Sequence, residues 1–224
     1  METELKLSNT KGRFLIEDHR NLLKLFAAKS PLHTLLFLIP LAIFPVLYLN
    51  DQDVFISEIV ILFPIGVFYW SFVEYFIHRW VFHFKAKNKI INYIVGSFHT
   101  YHHQNPKDLD VLTSGWITAL AGLGFHGSIF YLFTGFSFKY ASILILSTIF
   151  AYFIYEIVHY QVHMKVYKTG VLKYLQDFHL THHVNPTGNY GQTSGLWDVI
   201  FRTRIPSKET SKNKSMQNFV KECQ

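Results

Sequence analysis

Ten of the chain's 13 histidines fall into four short clusters, and imidazole is a common ligand for redox-active metals. A buried imidazole needs a hydrogen-bond or metal partner, so packing of an apolar core gives no reason for such a set. In chain order the clusters are His78 and His83; His99, His102 and His103; His159 and His163; and His179, His182 and His183. The set predicts a nitrogen-rich site for metal ions.

The spacing within the clusters suits ligands on helices. Residues three and four positions apart share one face of an α-helix, and three of the clusters follow that rule. His78 and His83 do not, because five residues place them about 140° apart around an ideal helix. We therefore expect the helix to end or distort near residues 80–82, or the two histidines to serve different ions.

The number and type of ligands restrict the metal. Ten imidazoles shared between two ions give about five each, which is more than the four of a structural zinc site and fits iron. Cys223 is the only cysteine, so thiolate sites and disulfides within the chain are excluded. Because the ligating rings must be neutral, metal affinity should fall below about pH 6.5.

The clusters alternate with apolar segments long enough to cross a bilayer. Half of the 224 residues are hydrophobic and only 16% are charged, which is typical of a membrane protein. We expect a cytoplasmic segment at 1–30, one domain at 31–206 and a polar tail at 207–224. Within the domain, very short loops join the predicted spans into two hairpins; the spans are 31–49, 54–77, 112–136 and 140–158.

The positive charges give the expected orientation. The two termini and the long middle segment lie on one side of the predicted spans. That side carries all of the 21 lysines and arginines except Lys139. The positive-inside rule places that side in the cytoplasm, so the charge reflects membrane topology and not nucleic-acid binding. The expected fold is all-α and integral to the membrane: four transmembrane helices and a cytoplasmic helical cap that holds a histidine-ligated di-metal site.

Several other polar residues lie near the clusters or within the spans. Glu74 and Glu156 precede His78 and His159, and each could accept the second ring N–H of a ligand. The alternative is that each carboxylate extends to the membrane interface. We expect His126, deeper in a span, to hydrogen-bond a neighbouring helix, and we interpret Asp198 as a solvated or helix-capping residue.

At this point the residues resemble a known family. The four boxes occur in the order found in the fatty acid 2-hydroxylase branch of the fatty acid hydroxylase superfamily, and the resemblance covers about 70–203. The segment WSFVEYFIHRWVFHF, the pair His159–Tyr160 and the closing segment YGQTSGLWDVIFRT are also similar to that branch. The resemblance implies two iron ions held by the ten histidines, although zinc can occupy such sites in a purified protein. Tyr160 is expected behind the ligands.

The chain also departs from these relatives. It lacks the His-Pro-Gly-Gly haem motif of their cytochrome b5 domain, so we expect electrons from a separate donor, either cytochrome b5, a ferredoxin or a reductase. The same difference favours a bacterial inner membrane over the endoplasmic reticulum. A proline-rich stretch is replaced by residues 110–115, which could line the substrate entrance.

The expected activity is O2-dependent hydroxylation of a membrane lipid's acyl chain, at carbon 2 of a fatty acid or N-acyl group. No ordinary side chain can remove hydrogen from an unactivated C–H bond, so a redox metal must supply that step. A sterol or carotenoid hydroxylase or desaturase of the same superfamily is the enzymatic alternative. A membrane metal transporter is the alternative of a different class; it would place ligands near the membrane midplane or in loose loops.

Overall fold

The computed structural model describes residues 27–84, 87, 99–109 and 112–206, and the expected segments at 1–30 and 207–224 lie almost entirely outside them. Within the described residues the regular structure is helical apart from one two-residue antiparallel pairing between β1 (Ala27–Ala28) and β2 (Thr113–Ser114). A further helical segment covers residues 99–104. The helices are α1 (Pro31–Asn50), α2 (Ile56–Phe76), α3 (Trp116–Phe133), α4 (Phe138–Met164), α5 (Gly170–Val184) and α6 (Leu196–Ile200).

Four helices are long and apolar enough to span a membrane, as the sequence predicted. They are α1, α2 together with a helical extension to Phe82, α3, and α4. Two predicted ends were wrong. The third span begins at Trp116 because residues 113–114 pair with β1, and the fourth helix continues to Met164, so that its final turns carry His159 and His163.

The α4 helix is the centre of the bundle. In an 18-residue apolar stretch of α4, 50% of the residues are buried inside the protein, whereas at most 17% are buried in the matching stretches of the other three helices. It contacts α2, α1 and α3, and its last turns contact α5. The short loops join α1 to α2 and α3 to α4, but α1 and α2 make their main contacts with α4 and not with each other. Displacement of α4 would therefore disturb every other element.

The two ends of α4 differ in chemistry. At its start, Lys139 bridges to Glu58 of α2 at 2.7 Å and donates to the Asp53 carbonyl at 2.5 Å. Between the ends, the Tyr69 hydroxyl and His126 Nδ1 lie 2.8 Å apart, which confirms the predicted interhelical hydrogen bond of His126. At the other end lie His159 and His163. The bundle thus gathers histidines at one end only of its described spans.

At Gly66, α2 closely approaches α4. A Cβ atom there would lie 1.8 Å from Ser147 Oγ and 2.9 Å from the Leu144 carbonyl oxygen. We expect Gly66→Ala to reduce stability by about 1–3 kcal/mol, because the two helices must separate to relieve the overlap. Thermal unfolding in detergent measures this. Gly124→Ala is the matched control, since nothing lies within 4 Å of its added Cβ; an equal loss in both variants would contradict this packing.

Candidate metal centre

A change in helix type brings His78 and His83 together. After Phe76, residues Ile77–Phe82 form a π-helix, in which hydrogen bonds join residues five apart. This geometry places positions i and i+5 on one face, and the two ring centroids are 5.2 Å apart. The predicted distortion near residues 80–82 is therefore confirmed, and both histidines belong to the same set of ligands and not to different ions.

The other clusters lie on three elements that meet above the spans. The helical segment 99–104 carries one HX2HH cluster, α5 carries the other, and the last turns of α4 carry the HX3H pair. The structure places nine of the ten predicted ligands in two compact sets, each with its ligand nitrogens within 4.8 Å of one another. The first set is His78, His83, His99, His103 and His182; the second is His102, His159, His163 and His179.

The tenth histidine, His183, adjoins the second set. Its Nε2 lies 3.0 Å from His179 Nε2, and its ring centroid is 4.8 Å from those of His102 and His163. The structure thus gathers all ten histidines at one place, while five ligands for each of two ions stays a prediction. The sets are adjacent, since the His103 and His183 rings stack at 4.2 Å.

The ring contacts of the first set bring nitrogen lone pairs close together. His78 Nδ1 lies 2.6 Å from the Tyr190 carbonyl and His182 Nδ1 lies 2.8 Å from the Gly188 carbonyl. A carbonyl only accepts, so each Nδ1 is the protonated nitrogen and each Nε2 presents a lone pair. Yet His182 Nε2 lies 3.0 Å from His83 Nε2 and 3.1 Å from His103 Nε2. Lone pairs that converge on one point favour the binding of a cation between them.

The spacing also fits metal ligands. Two nitrogens at 90° around an ion, each about 2.0–2.1 Å from it, would be about 2.9 Å apart, whereas a tetrahedral angle would give about 3.3 Å. In the first set, His99 Nε2 lies 3.0 Å from the Nε2 atoms of His78, His83 and His103. A set of neutral imidazoles with these spacings suits iron, copper or zinc and is unsuited to magnesium or calcium.

Backbone carbonyls, and not the predicted carboxylates, orient the His78 and His182 rings. Among the described residues, Glu74 makes no hydrogen bond to a histidine: its Oε1 accepts from the backbone N–H groups of Gln192 and Thr193, at 3.2 and 2.9 Å. The predicted hydrogen bond from Glu74 to a ligand was therefore wrong, because the loop 190–193 lies between them. Glu74 instead anchors that loop, whose Tyr190 carbonyl meets His78.

Glu156 and Tyr160 also differ from expectation. Glu156 Oε1 accepts from the Ser114 backbone N–H at 3.1 Å, and not from a histidine ring. Tyr160 is half-buried, and among the described residues its ring contacts none of the ten histidines. Tyr155, one helical turn before His159, is the tyrosine whose ring stacks on that histidine, with centroids 5.9 Å apart. The i, i+4 spacing from Tyr155 to His159 was the signal for it.

Asp198 was interpreted wrongly as a solvated or capping residue. It is completely buried, and its carboxylate accepts from the backbone N–H groups of Tyr190 and Gly191 at 2.8 and 2.7 Å. It also accepts from the Thr203 hydroxyl at 2.7 Å. Asp198 thus fixes the loop that orients His78, a role that only the folded chain reveals.

A cavity of about 60 Å³ lies beside both histidine sets. Histidines from each set form part of its wall: His78 and His99 from the first, and His102, His159 and His179 from the second. Its lining also includes Tyr155, Glu156, Gln192 and residues 112–114, which belong to the segment 110–115 expected at the substrate entrance. The site therefore has space next to the predicted ligands.

Burial and mutual proximity keep the rings neutral. Burial lowers the pKa of His103 to about 4, and the neighbouring His83 contributes to the shift. Burial also lowers the pKa values of His99, His102, His179, His182 and His183, and the other histidines of the cluster lower them further. The rings are thus ready to bind metal at neutral pH without losing a proton.

Acidification should release the metal and weaken the fold. An unfolded histidine takes up its proton near pH 6.5, whereas these folded rings resist protonation, so stability is fully present above pH 6.5. It is lost as the pH falls from about 6.5 towards 4, and we expect about half of the bound metal to be released near pH 5. Metal content after dialysis at graded pH measures this; full retention at pH 4 would contradict it.

Comparison with known proteins gives the family that the histidine boxes predicted. A model of the fatty acid hydroxylase family matches residues 63–203, more than half of the chain. The chain is 32% identical over 160 residues to the dihydroceramide fatty acyl 2-hydroxylase FAH1 of Arabidopsis thaliana. This alignment covers 69% of this chain and 66% of that protein. It is also 32% identical over 156 residues to the human fatty acid 2-hydroxylase, covering 66% of this chain and 40% of that protein.

A solved structure shares the fold. It is described as full-length scs7p with only the hydroxylase domain visible, and its TM-score is 0.69 at 22% identity. The match covers 82% of this chain and 69% of that chain. The plant, mammalian and yeast relatives give no support to the expected bacterial origin. With its matched segment containing all four histidine clusters, the chain belongs to the fatty acid hydroxylase family.

Proposed function

We propose that this protein is a membrane di-iron oxygenase that hydroxylates a lipid acyl chain at carbon 2. The reaction consumes O2, two electrons and two protons, and it releases water together with the hydroxylated lipid. Support comes from family membership and from relatives named as fatty acid and dihydroceramide fatty acyl 2-hydroxylases. The chain spans only 40–66% of the length of those two relatives, so their activity is proposed here for this chain.

The observation that carries the proposal is that the cavity of about 60 Å³ beside the histidine sets, here named the metal-side cavity, and an apolar cavity follow each other along α4, Tyr155 lining the first and Tyr152 the second. An apolar cavity of about 120 Å³, lined by Trp70, Ile77 and Tyr152 among others, lies deeper in the spans. A third cavity, of about 480 Å³, shares Leu41, Leu123 and Ile145 with it. These spaces suit an acyl tail whose carbonyl end lies beside the histidines.

The chain's own residues bind and position the reactants. The ten histidines would hold two iron ions, which supply the redox chemistry that no side chain offers. An aromatic cluster separates the metal-side cavity from the apolar cavity of about 120 Å³. It consists of Trp70, Tyr152 and Tyr155, whose ring centroids are 5.0–6.2 Å apart. This cluster excludes water from the reacting carbon while the acyl chain passes along its faces.

The orientation and the electron donor are further parts of the proposal. We place both termini and the histidine sets on the cytoplasmic side, because all but one of the positive charges lie on that side of the spans. Electrons then come from a separate cytoplasmic or membrane-bound donor such as cytochrome b5, a ferredoxin or a reductase. Because these relatives come from eukaryotes, expression tests should use a eukaryotic host as well as a bacterial one.

Lipid mass spectrometry of cells with and without the protein tests the function. The proposal predicts a gain of 16 mass units, with a fragmentation pattern that places the hydroxyl at carbon 2. A loss of two mass units would show a desaturase, and an oxidised sterol or carotenoid would show the other enzymatic alternative. Metal uptake by vesicles without any lipid product would favour a transporter; each of these three results would overturn the proposal.

A further inference from the structure

Three arginines form a positively charged surface at the histidine end of the spans, which we name the arginine patch. Arg79 lies in the π-helix, and Arg202 and Arg204 follow α6 on the exposed surface. The two segments are adjacent, since the Arg79 guanidinium carbon lies 5.8 Å from the Phe201 ring. Among the described residues none of the three arginines forms an ion pair. Exposed positive charges without acidic neighbours attract an acidic partner.

Two large rings are exposed within the arginine patch. Trp80 and Phe201 are 39% and 38% exposed, and their ring centroids are 5.5 Å apart. The Arg79 guanidinium is held against them, because it lies 4.8 Å from the Trp80 ring and donates to the Tyr75 hydroxyl at 2.8 Å. Arginine and tryptophan are the residue types that most often carry the binding energy of protein–protein interfaces. The composition of the patch therefore favours a protein as its partner.

The backbone gives no reason for an arginine at position 202. Its φ of 56° lies in the left-handed region, which glycine and asparagine adopt more easily than arginine does. Within the described part of the chain, the Arg202 side chain makes no hydrogen bond or ion pair. The positive charge of this side chain is thus available to a molecule outside the chain.

Aromatic rings join the arginine patch to the first histidine set. The Tyr75 ring is completely buried; it stacks on Phe201 with centroids 5.3 Å apart and lies 6.0 Å from the Tyr190 ring. The Tyr190 ring in turn lies 5.4 Å from that of His182 and 5.7 Å from that of His78. Two buried rings therefore bridge the patch and the predicted ligands, so a redox centre held at the patch would be close to the first set.

We propose that the arginine patch is the docking surface for the electron donor, a one-electron carrier protein with an acidic face. This inference rests on the proposed function and names the surface that its redox partner uses. The reduced carrier is oxidised by one electron at each encounter. Two encounters therefore supply the two electrons that the proposed reaction consumes together with O2 and two protons. Such short-lived redox complexes bury little surface, so charge attraction contributes much of their association rate.

Charge reversal at the exposed arginines tests the docking surface. The variants are Arg202→Glu and Arg204→Glu, alone and together, and Arg202→Gln repeats the test with a milder change. The metal-loaded full chain is placed in phosphatidylcholine nanodiscs, which carry no net charge. Binding of two acidic carriers, the soluble haem domain of cytochrome b5 and a ferredoxin, is then measured. Lys168→Glu is the matched control, because it reverses the charge of an exposed residue between α4 and α5.

The expected loss is confined to the carrier protein. Affinity for the carrier that binds the parent more tightly should fall about 3- to 10-fold in each Glu variant at low ionic strength, and about 10-fold or more in the double variant. Salt at about 0.5 M should remove most of the difference. Lys168→Glu should match the parent. All variants should retain the parent's metal content and its product yield with a small-molecule reductant such as dithionite.

Two results would overturn the inference. The first is that neither acidic carrier binds the parent protein. The second is that the variants bind the carrier as tightly as the parent does. If the arginines instead bind lipid head groups, the variants would lose affinity only for vesicles that contain an anionic lipid, and carrier binding in neutral nanodiscs would not change.

The same measurements separate the docking surface from the function. If a carrier binds the parent through the arginine patch but no 2-hydroxy product forms with either the carrier or dithionite, the proposed function fails and the docking surface stands. If product forms with the carrier at the same rate in the parent and in the double variant, the function stands and the docking surface is wrong.

Discussion

Replacing His182 with alanine should abolish hydroxylation and remove one of two metal ions per chain. His182 is fully buried in the first set, where its Nε2 lies within 3.1 Å of two other ligand nitrogens while its Nδ1 is held by the Gly188 carbonyl. Loss of an oriented ligand should lower activity by more than the 10- to 100-fold that removing an outer partner typically costs. Product formation and metal content are measured on the same preparation.

Two comparisons make this result specific. His102→Ala should remove the ion of the second set with an equally severe loss, because both ions are needed for the reaction. His33→Ala should leave metal content and activity unchanged, since His33 is exposed at the start of α1 and its ring pairs only with Ser30 among the described residues. A His182→Ala protein with two bound ions and full activity would show that the set is not a metal site.

Replacing Asp198 with alanine should have the second largest effect, although Asp198 touches no metal ligand. The change leaves two buried backbone N–H groups, those of Tyr190 and Gly191, without an acceptor. Hydrogen bonds to a charged group contribute about 1.5–3 kcal/mol each, so we expect a loss of about 3 kcal/mol or more. Because the Tyr190 carbonyl then no longer holds His78, hydroxylation should fall about 10- to 100-fold.

Asp177→Ala is the matched control for Asp198. Its side chain is half exposed and its ion pair with Lys173 lies on the outer face of α5, so its removal should change stability by less than about 1 kcal/mol. Thermal unfolding and product formation are compared for the two variants. If Asp198→Ala unfolds at the same temperature as Asp177→Ala and keeps its activity, the loop does not orient His78.

The sequence predicted which histidines come together, because metal binding limits both residue type and spacing. Imidazoles at i, i+3 and i+4 must share a helix face, and the five-residue gap between His78 and His83 required a distortion, which the π-helix provides. The spans were predictable for a similar reason, since crossing a bilayer requires a long apolar run. The ends of the spans were less predictable, because the pairing of residues 113–114 with β1 depends on a distant part of the chain.

The residues behind the ligands were not predictable, because their roles depend on the loop 188–193. Glu74 lies one turn from His78, yet that loop lies between them and takes up its carboxylate. Tyr190 and Gly188 act through backbone carbonyls, which leave no trace in residue type. Close approach explains why glycine occupies position 191 of the loop, since a Cβ there would lie 2.0 Å from the Ser194 carbonyl oxygen.

Metal analysis of the purified full chain, loaded with iron and then freed of excess, tests the central claim most directly. The histidine sets predict two ions per chain in the parent protein, one in His182→Ala and one in His102→Ala, with only nitrogen and oxygen ligands in the X-ray absorption spectrum. Retention of fewer than two ions by the parent, or of two ions by either variant, would contradict the account.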